Sequence, residues 1–204
     1  VREIDMLGGK MGVLADSSGI QFKTLNKKKG RAVWSPRAQV DKRAYENQAF
    51  RLLKASGCQI LSGEVVSLIY KKNKVDGVNL RSGESLKGSS VIITSGTFLS
   101  GLIHVGDRKI KAGRMGEDRA KGLTEHLKCV GFLTGRLKTG TPPRLDKKSI
   151  DWTKTSVVRG DKNPTPFSYM TADFCPPNVP CHTIYTNSEA HYIIEKNKNR
   201  SPMF

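Results

Sequence analysis

The chain has 204 residues, and its 35 Lys and Arg against 18 Asp and Glu leave a formal charge of +17. That length holds one domain or parts of two, and a hydrophobic share of 37% sustains a core and excludes a disordered tail. So large a cation excess favours polyanionic partners, nucleic acid first, although cations spread along the whole chain also describe an ordinary solvated basic surface.

No run of 18 apolar residues occurs, so no membrane-spanning helix is expected. Opening on Val1 without an initiator Met, the chain is expected to be a middle slice of something longer. Cys58, Cys129, Cys175 and Cys181 form no Cys-x-x-Cys pair, and reduced free thiols are the reading adopted. Cys175 and Cys181 beside His182 are the one grouping with chemistry for a metal.

In chain order, residues 35–57 carry a helix signature. Ser35 can cap, Pro36 fits the first helical position, Gly57 can stop it, and Ala38, Tyr45, Ala49, Leu52 and Leu53 form an apolar stripe. The period then changes to two: CQIL, EVVSLIY, KVDGVNLR and SVIIT read as short strands between turns at Gly63, Asn73 and Gly83. The unbroken VIIT run predicts a strand buried on both faces. A second helix is expected over Ala120–Val130, with Leu123, Leu127 and Val130 inward and Gly131 as its stop. Residues 140–181 are proline-rich and read as loops. TNSE (186–189) has capping-box spacing from Thr186 to Glu189, ahead of a helix with Ala190, Ile193 and Ile194 on its apolar face. This order of elements predicts an α/β architecture.

Four stretches have the composition of ligand-binding segments. TSGTFLSGLIHVG (94–106) follows a predicted strand with glycines and hydroxyls, the arrangement in which α/β sheets hold nucleotides, or else a plain tight turn. KAGRMGEDRAKGL (111–123) places Arg114 and Arg119 beside glycines ahead of a helix, as an anion site or as a solvated loop. KGRAVWSPRAQVDKRAY (29–45) sets Arg31, Arg37 and Arg43 around Trp34; the indole either stacks a base among phosphate-pairing cations or packs under the helix start. In GRLKTGTPPRL (135–145), Pro142 and Pro143 stiffen a loop bracketed by Gly135 and Gly140, and Arg136, Lys138 and Arg144 are presented to a nucleotide or RNA phosphate, or simply to water. His104, His126, His182 and His191 have no catalytic or metal spacing, and no G-x-G-x-x-G, nucleophile elbow or H-E-x-x-H occurs.

These blocks, with VREIDMLGG at the start and NRSPMF at the end, resemble in order those of the MnmG family, also called GidA, over the whole chain. The resemblance implies part of a glutathione-reductase-type FAD-binding domain with a β-meander (1–134) and the start of a loop-rich inserted, nicotinamide-associated domain (135–204). It implies an FAD- and NADH-dependent enzyme that adds an aminomethyl or carboxymethylaminomethyl group to C5 of wobble uridine 34 of tRNA. Methylene-tetrahydrofolate would be the carbon donor and the GTPase MnmE the partner, in a heterotetramer containing a homodimer of the family member. The compartment implied is the bacterial cytoplasm, or the mitochondrion for a eukaryotic source. The family's glycine fingerprint and its two proposed catalytic cysteines have no counterpart in these residues, which on their own are therefore expected to be inactive.

Carried over by position, Val65 implies a main-chain contact to FAD. Ala120 implies a second contact, although many relatives have Ser there, preceded by Pro-Pro where this chain has Asp118 and Arg119. By fold analogy Thr94 and Gly96 are expected near the flavin nucleotide. Arg136, Lys138, Arg144 and Arg37 are the candidates for tRNA or nucleotide phosphate. Two other readings of the sequence are a basic RNA-binding scaffold without redox activity and a related folate- and FAD-dependent tRNA uridine methyltransferase.

Overall fold

The computed structural model describes residues 1–140, 142 and 144–201. Its helices are α1 (Arg2–Met6), α2 (Met11–Ser18), α3 (Lys42–Ala55), α4 (Leu123–Cys129) and α5 (Ser188–Lys196). The strands are β1 (Gly19–Leu25), β2 (Ser35–Val40), β3 (Val65–Lys71), β4 (Lys74–Leu80), β5 (Ser85–Lys87), β6 (Ile103–Val105), β7 (Arg108–Ile110), β8 (Ala112–Arg114), β9 (Glu117–Asp118), β10 (Ser156–Val158) and β11 (Cys181–Thr183). They gather into two units, each made of two stretches of chain: residues 1–60 with 145–186, and 61–144 with 187–204. The junctions between these units fall at 60/61, 144/145 and 186/187. Thr141 and Pro143 of the stiff-loop motif, and the final Pro-Met-Phe of NRSPMF, lie outside the described residues.

In the first unit β1 and β2 form an antiparallel pair, with Phe22 opposite Ala38 and Thr24 opposite Pro36. Ser35 and Pro36 therefore belong to a strand, which corrects the helix expected from 35 onward. Proline is tolerated there because β2 is an edge strand. The helix begins only after Asp41, whose carboxylate accepts the Ala44 N–H at 2.9 Å, while the Asp41 N–H donates to the Ser18 carbonyl at 2.9 Å. Its end is as expected, with Gly57 at φ +76° just beyond it.

Buried polar side chains fix the long irregular segment 156–181 against β1. Gln21, only 2% exposed, donates from Nε2 to the carbonyls of Val179 at 2.8 Å and Val158 at 3.2 Å. The Asp16 carboxylate on α2 accepts the N–H groups of Phe167 and Ser168 at 2.8 and 2.9 Å and the Thr171 hydroxyl at 2.7 Å. Phe22 seals this layer, 4.9 Å edge-on to Phe174. Gly160 is required where the segment crosses β1, because a Cβ there would lie 2.5 Å from the Phe22 carbonyl oxygen.

The second unit is built on the antiparallel meander β3-β4-β5. Its first turn uses Lys72 and Asn73 at φ +46° and +65°, the double left-handed geometry that matches strand twist. Leu68, Leu80, Ala112 and Leu123 are buried, and α4 packs on β3. Gly131, at φ +96°, closes α4 as expected.

Several other expectations are corrected. CQIL is not a strand, and neither is SVIIT: Ile92 is 86% and Ile93 42% exposed, because no strand among the described residues pairs with this run. Helix α4 starts at Leu123, after Gly122 at φ +95° has turned the backbone out of helical geometry, and Val130 is exposed. Asn187, not Thr186, caps α5, accepting the Ala190 N–H at 2.8 Å, so Glu189 is one position short of a capping box. Ile193 and Ile194 are exposed. The fold is a mixture of helices and small sheets, and among the described residues every sheet is antiparallel.

Asp16→Ala strands two main-chain donors beneath Phe22, and is expected to destabilise the intact protein by about 3 kcal/mol. Urea unfolding measures the loss, and limited proteolysis should show new cleavage within 160–180; an unchanged midpoint and digestion pattern would contradict the role given to Asp16. The Glu64–Arg81 pair described below supplies a second expectation. Glu64 is held well below its ordinary range, to about 2, first by hydrogen bonding from Arg81 and then by the Lys121 N–H. A depressed carboxyl contributes stability that is complete above its unfolded value and lost as pH falls toward the folded one. Between about pH 4.5 and 2, stability should therefore fall more steeply in the wild type than in Glu64→Gln, as read from unfolding midpoints at stepped pH.

Candidate functional site

Two distant turns of the second unit are knitted together by main-chain bonds. The Ala120 N–H donates to the Phe98 carbonyl at 3.1 Å and the Ser100 N–H to the Ala120 carbonyl at 2.9 Å, while Leu99 and Ala120 form a parallel bridge. Close approach explains two of the glycines the sequence singles out. A Cβ on Gly101 would sit 2.6 Å from the Ala112 carbonyl, and one on Gly113 would strike the Phe98 ring. The Ser100 hydroxyl donates to Thr124 Oγ1 at 2.9 Å, which fastens the turn to α4.

Glu64 joins this assembly to the meander. Its carboxylate receives the Arg81 guanidinium through Nε and, at 2.8 Å, through Nη2. It also accepts the Lys121 N–H at 2.8 Å. The Arg81 N–H donates to the Glu64 carbonyl at 2.8 Å, so side chain and backbone enforce the same register. Between the start of β3 and the 95–101 and 118–123 turns opens a cleft of about 590 Å³, lined by Glu64, Val65, Ser95, Phe98, Arg119 and Ala120 among others.

The charges along the cleft are unequal in what surrounds them. Glu64 is neutralised by Arg81, and Asp118 is exposed to water. Arg119 is partly buried, and its Nε–H has no hydrogen-bond partner although the atom is shielded from solvent. The site thus combines an apolar wall from Phe98, a hydroxyl from Ser95, borders at Val65 and Ala120, and one cationic donor without a partner among the described residues. Such a mixture suits a ligand with a flat apolar part and an anionic part.

Val65 and Ala120, singled out from the sequence, line this cleft together. Thr94 and Gly96 are exposed and do not line it, whereas Ser95 between them does. Arg136 donates through Nη2 to the Ser100 carbonyl at 3.1 Å, tying the basic stretch to the 95–101 turn. Lys138 Nζ donates to the Thr139 carbonyl at 2.7 Å, and Arg144 is exposed. Arg37 belongs to the first unit, opposite Lys23 on the β-hairpin. Arg114 is paired with Glu117.

Trp34 does not pack under a helix start. It is 42% exposed, donates its indole N–H to the Lys29 carbonyl at 3.1 Å, and carries the Arg31 guanidinium 5.6 Å from its ring centroid.

No cluster of three metal-ligating side chains occurs among the described residues, and the four cysteines are free. His182 instead meets Thr155 Oγ1 through Nδ1 at 2.8 Å and the edge or face of Trp152 at 4.6 Å between ring centroids. A second cleft, in the first unit, is lined by Asp16, Asp41, Phe174 and Cys175 among others, but its most buried carboxylate, Asp16, is spent on the protein's own loop. Among the described residues no helix is long and apolar enough to cross a membrane. Ser95 and Phe98 lie in the 94–106 stretch that the sequence marks, whereas Glu64 and Arg81 were not legible as site residues. The hairpin register that sets Val65 opposite Leu80 is the signal that could have brought Glu64 and Arg81 together.

Comparison with known proteins agrees over the full length. The family model described as glucose inhibited division protein A matches residues 1–204. The chain is 46% identical over 208 residues to the tRNA uridine 5-carboxymethylaminomethyl modification enzyme MnmG of Flavobacterium psychrophilum, covering 100% of itself and 33% of that protein. Against the enzyme of the same name from Thermodesulfovibrio yellowstonii the figures are 46% over 205 residues, 100% and 33%. The structure of Aquifex aeolicus GidA in its form I crystal superposes with a TM-score of 0.91 at 43% identity, covering 100% of this chain and 35% of that one. The chain therefore spans about a third of the length of the curated relatives it matches, and it belongs to the glucose inhibited division protein A family.

Proposed function

We propose that the intact protein is a flavin-dependent tRNA-modifying enzyme, and that the cleft beside Val65 and Ala120 forms part of its FAD site. The reaction is addition of an aminomethyl or carboxymethylaminomethyl group to C5 of the wobble uridine. NADH is the reductant, a methylene-tetrahydrofolate supplies the carbon, and the GTPase MnmE is the partner of a homodimer in the bacterial cytoplasm. The finer architecture in this reading is a glutathione-reductase-type FAD domain, to which residues 1–134 contribute, with an inserted nicotinamide-associated domain starting near 135. The observation that carries the reading is the cleft itself: two positions matched to flavin contacts by resemblance alone, Val65 and Ala120, line one cavity.

When bound, the flavin supplies two-electron transfer between nicotinamide and the folate-derived adduct, chemistry no side chain offers. The residues of this chain bind and orient. Val65 and Ala120 border the cleft; the Ala120 N–H and carbonyl are engaged by Phe98 and Ser100, so Ala120 contributes a small apolar border rather than a free main-chain donor. Phe98 gives an apolar wall for an aromatic ring system. Arg136, Lys138 and Arg144 serve tRNA phosphates: Arg136 is fastened to the Ser100 carbonyl, so a cation contacting the RNA is coupled directly to the turn that bears the cleft.

Two measurements check this. The intact protein should purify with bound flavin, absorbing near ~450 nm, and should restore the modified wobble base, read by nucleoside mass spectrometry, in cells lacking the gene. A flavin-free protein that binds tRNA and restores nothing would leave a basic RNA-binding scaffold in place of the enzyme. For the phosphate contacts, Arg136→Glu with Lys138→Glu should weaken tRNA binding by about tenfold or more and flatten its salt dependence by roughly one to two logarithmic units of slope. Equal affinity and equal slope would return these cations to the solvated surface.

A further inference from the structure

The cations of the second unit differ in one respect that composition does not show. Arg81 has Glu64, Arg114 has Glu117, and Arg200 has Asp107 at 2.6 Å. Arg136 donates to a carbonyl. Arg119 has no ion pair or hydrogen bond from its side chain among the described residues, yet its Nε is shielded from solvent and it lines the cleft with Val65, Ser95 and Ala120. A shielded donor left without a partner is costly, and native proteins keep few such groups.

We infer that Arg119 is the anion anchor of the cleft, donating to a phosphate oxygen of a nucleoside diphosphate moiety. This rests on the reading of the cleft as a nucleotide site and adds to it the residue that holds the charged part of the ligand. Three features of the surroundings support an anion over a neutral group. The neighbouring carboxylate of Glu64 is already saturated by Arg81 and the Lys121 N–H, so it does not compete for Arg119. Asp118 is exposed, where water screens its charge. And a guanidinium keeps its charge in a partly dry cleft, where its planar fork matches two phosphate oxygens at once. The position is also rigid: Ala120, next in sequence, is fixed by main-chain bonds on both its N–H and its carbonyl, and the Lys121 N–H is held by Glu64.

The test uses the intact protein stripped of flavin, titrated with FAD by fluorescence quenching and competed with ADP and with adenosine. The wild type should bind FAD and be displaced far better by ADP than by adenosine. Arg119→Gln should lose about tenfold to a hundredfold in affinity for FAD and ADP while its adenosine affinity stays put, and Arg119→Lys should recover part of the loss. Because the side chain supports no other group, the thermal midpoint of the ligand-free Gln variant should match the wild type. FAD and ADP affinities that are unchanged in Arg119→Gln, or that fall no further than adenosine's, would overturn the anchor while leaving the flavin site intact. A wild type that binds neither FAD nor ADP would overturn the nucleotide reading and the anchor with it.

Discussion

The second unit depends on one carboxylate that ties three stretches of chain together. Glu64 lies just before β3, Arg81 just after β4, and Lys121 on the far side of the cleft. The Glu64–Arg81 pair is partly exposed, with side-chain exposures of 32% and 51%, so as an ion pair it contributes little energy. Its importance is geometric. The two-pronged contact, the Arg81 N–H to the Glu64 carbonyl and the Lys121 N–H to the carboxylate together specify where the 118–123 turn meets the meander. Release of that one group would leave the 118–123 turn held to the meander by the packing of α4 on β3, without the bonds that fix its register.

The first unit answers a different problem with the same kind of device. A proline-rich segment cannot form a sheet ladder along its length, since each proline lacks a donor, yet much of 156–181 lies against the buried edge of β1. Its orphan main-chain groups are satisfied from the other side by side chains: Gln21 to two carbonyls, Asp16 to two N–H groups, Asn178 to the Gly160 N–H at 2.8 Å. Buried polar residues here replace the regularity that the sequence of the segment forbids. They also make it unforgiving, because Gln21 and Asp16 each serve more than one partner.

How much of this could be read from the residues follows from whether the deciding interaction is local. The turn at Asn73, the Gly131 stop and the strands β3 and β4 on either side of that turn are set within a few residues of sequence and were legible, whereas β5 was not expected. Ser35-Pro36 carried a good local helix signal that lost to pairing with Thr24 and Leu25, a partner no window of sequence around Pro36 contains. VIIT had the composition of a buried strand, but burial requires neighbouring strands, and the described residues provide none. Thr186 and Glu189 had the right spacing, yet Asn187 offered a better acceptor one residue later. For the cleft, Val65 and Ala120 came from the resemblance, and Ser95, Phe98 and Arg119 fell in stretches whose composition marked them, while Glu64 emerged only when segments far apart in the chain were placed side by side.

Arg81 and Arg119 show why the unsatisfied group is the more informative of the two. Both guanidiniums belong to the same small assembly, and both follow or precede turns of similar composition. Evolution supplied Arg81 with a carboxylate, a carbonyl at 3.3 Å from Lys121 and a backbone register that keeps them aligned. Arg119 received burial without a partner, against the rule that shielded donors are paired. A conflict between local rule and observed structure of this kind is expected where function imposes it. A glutamine or lysine at 119 would keep the polarity of the surface, and the turn itself is fixed by Ala120 and Lys121 through main-chain groups. The guanidinium is therefore not needed to build the loop, and its shielded Nε–H is left for a ligand, since nothing among the described residues takes it.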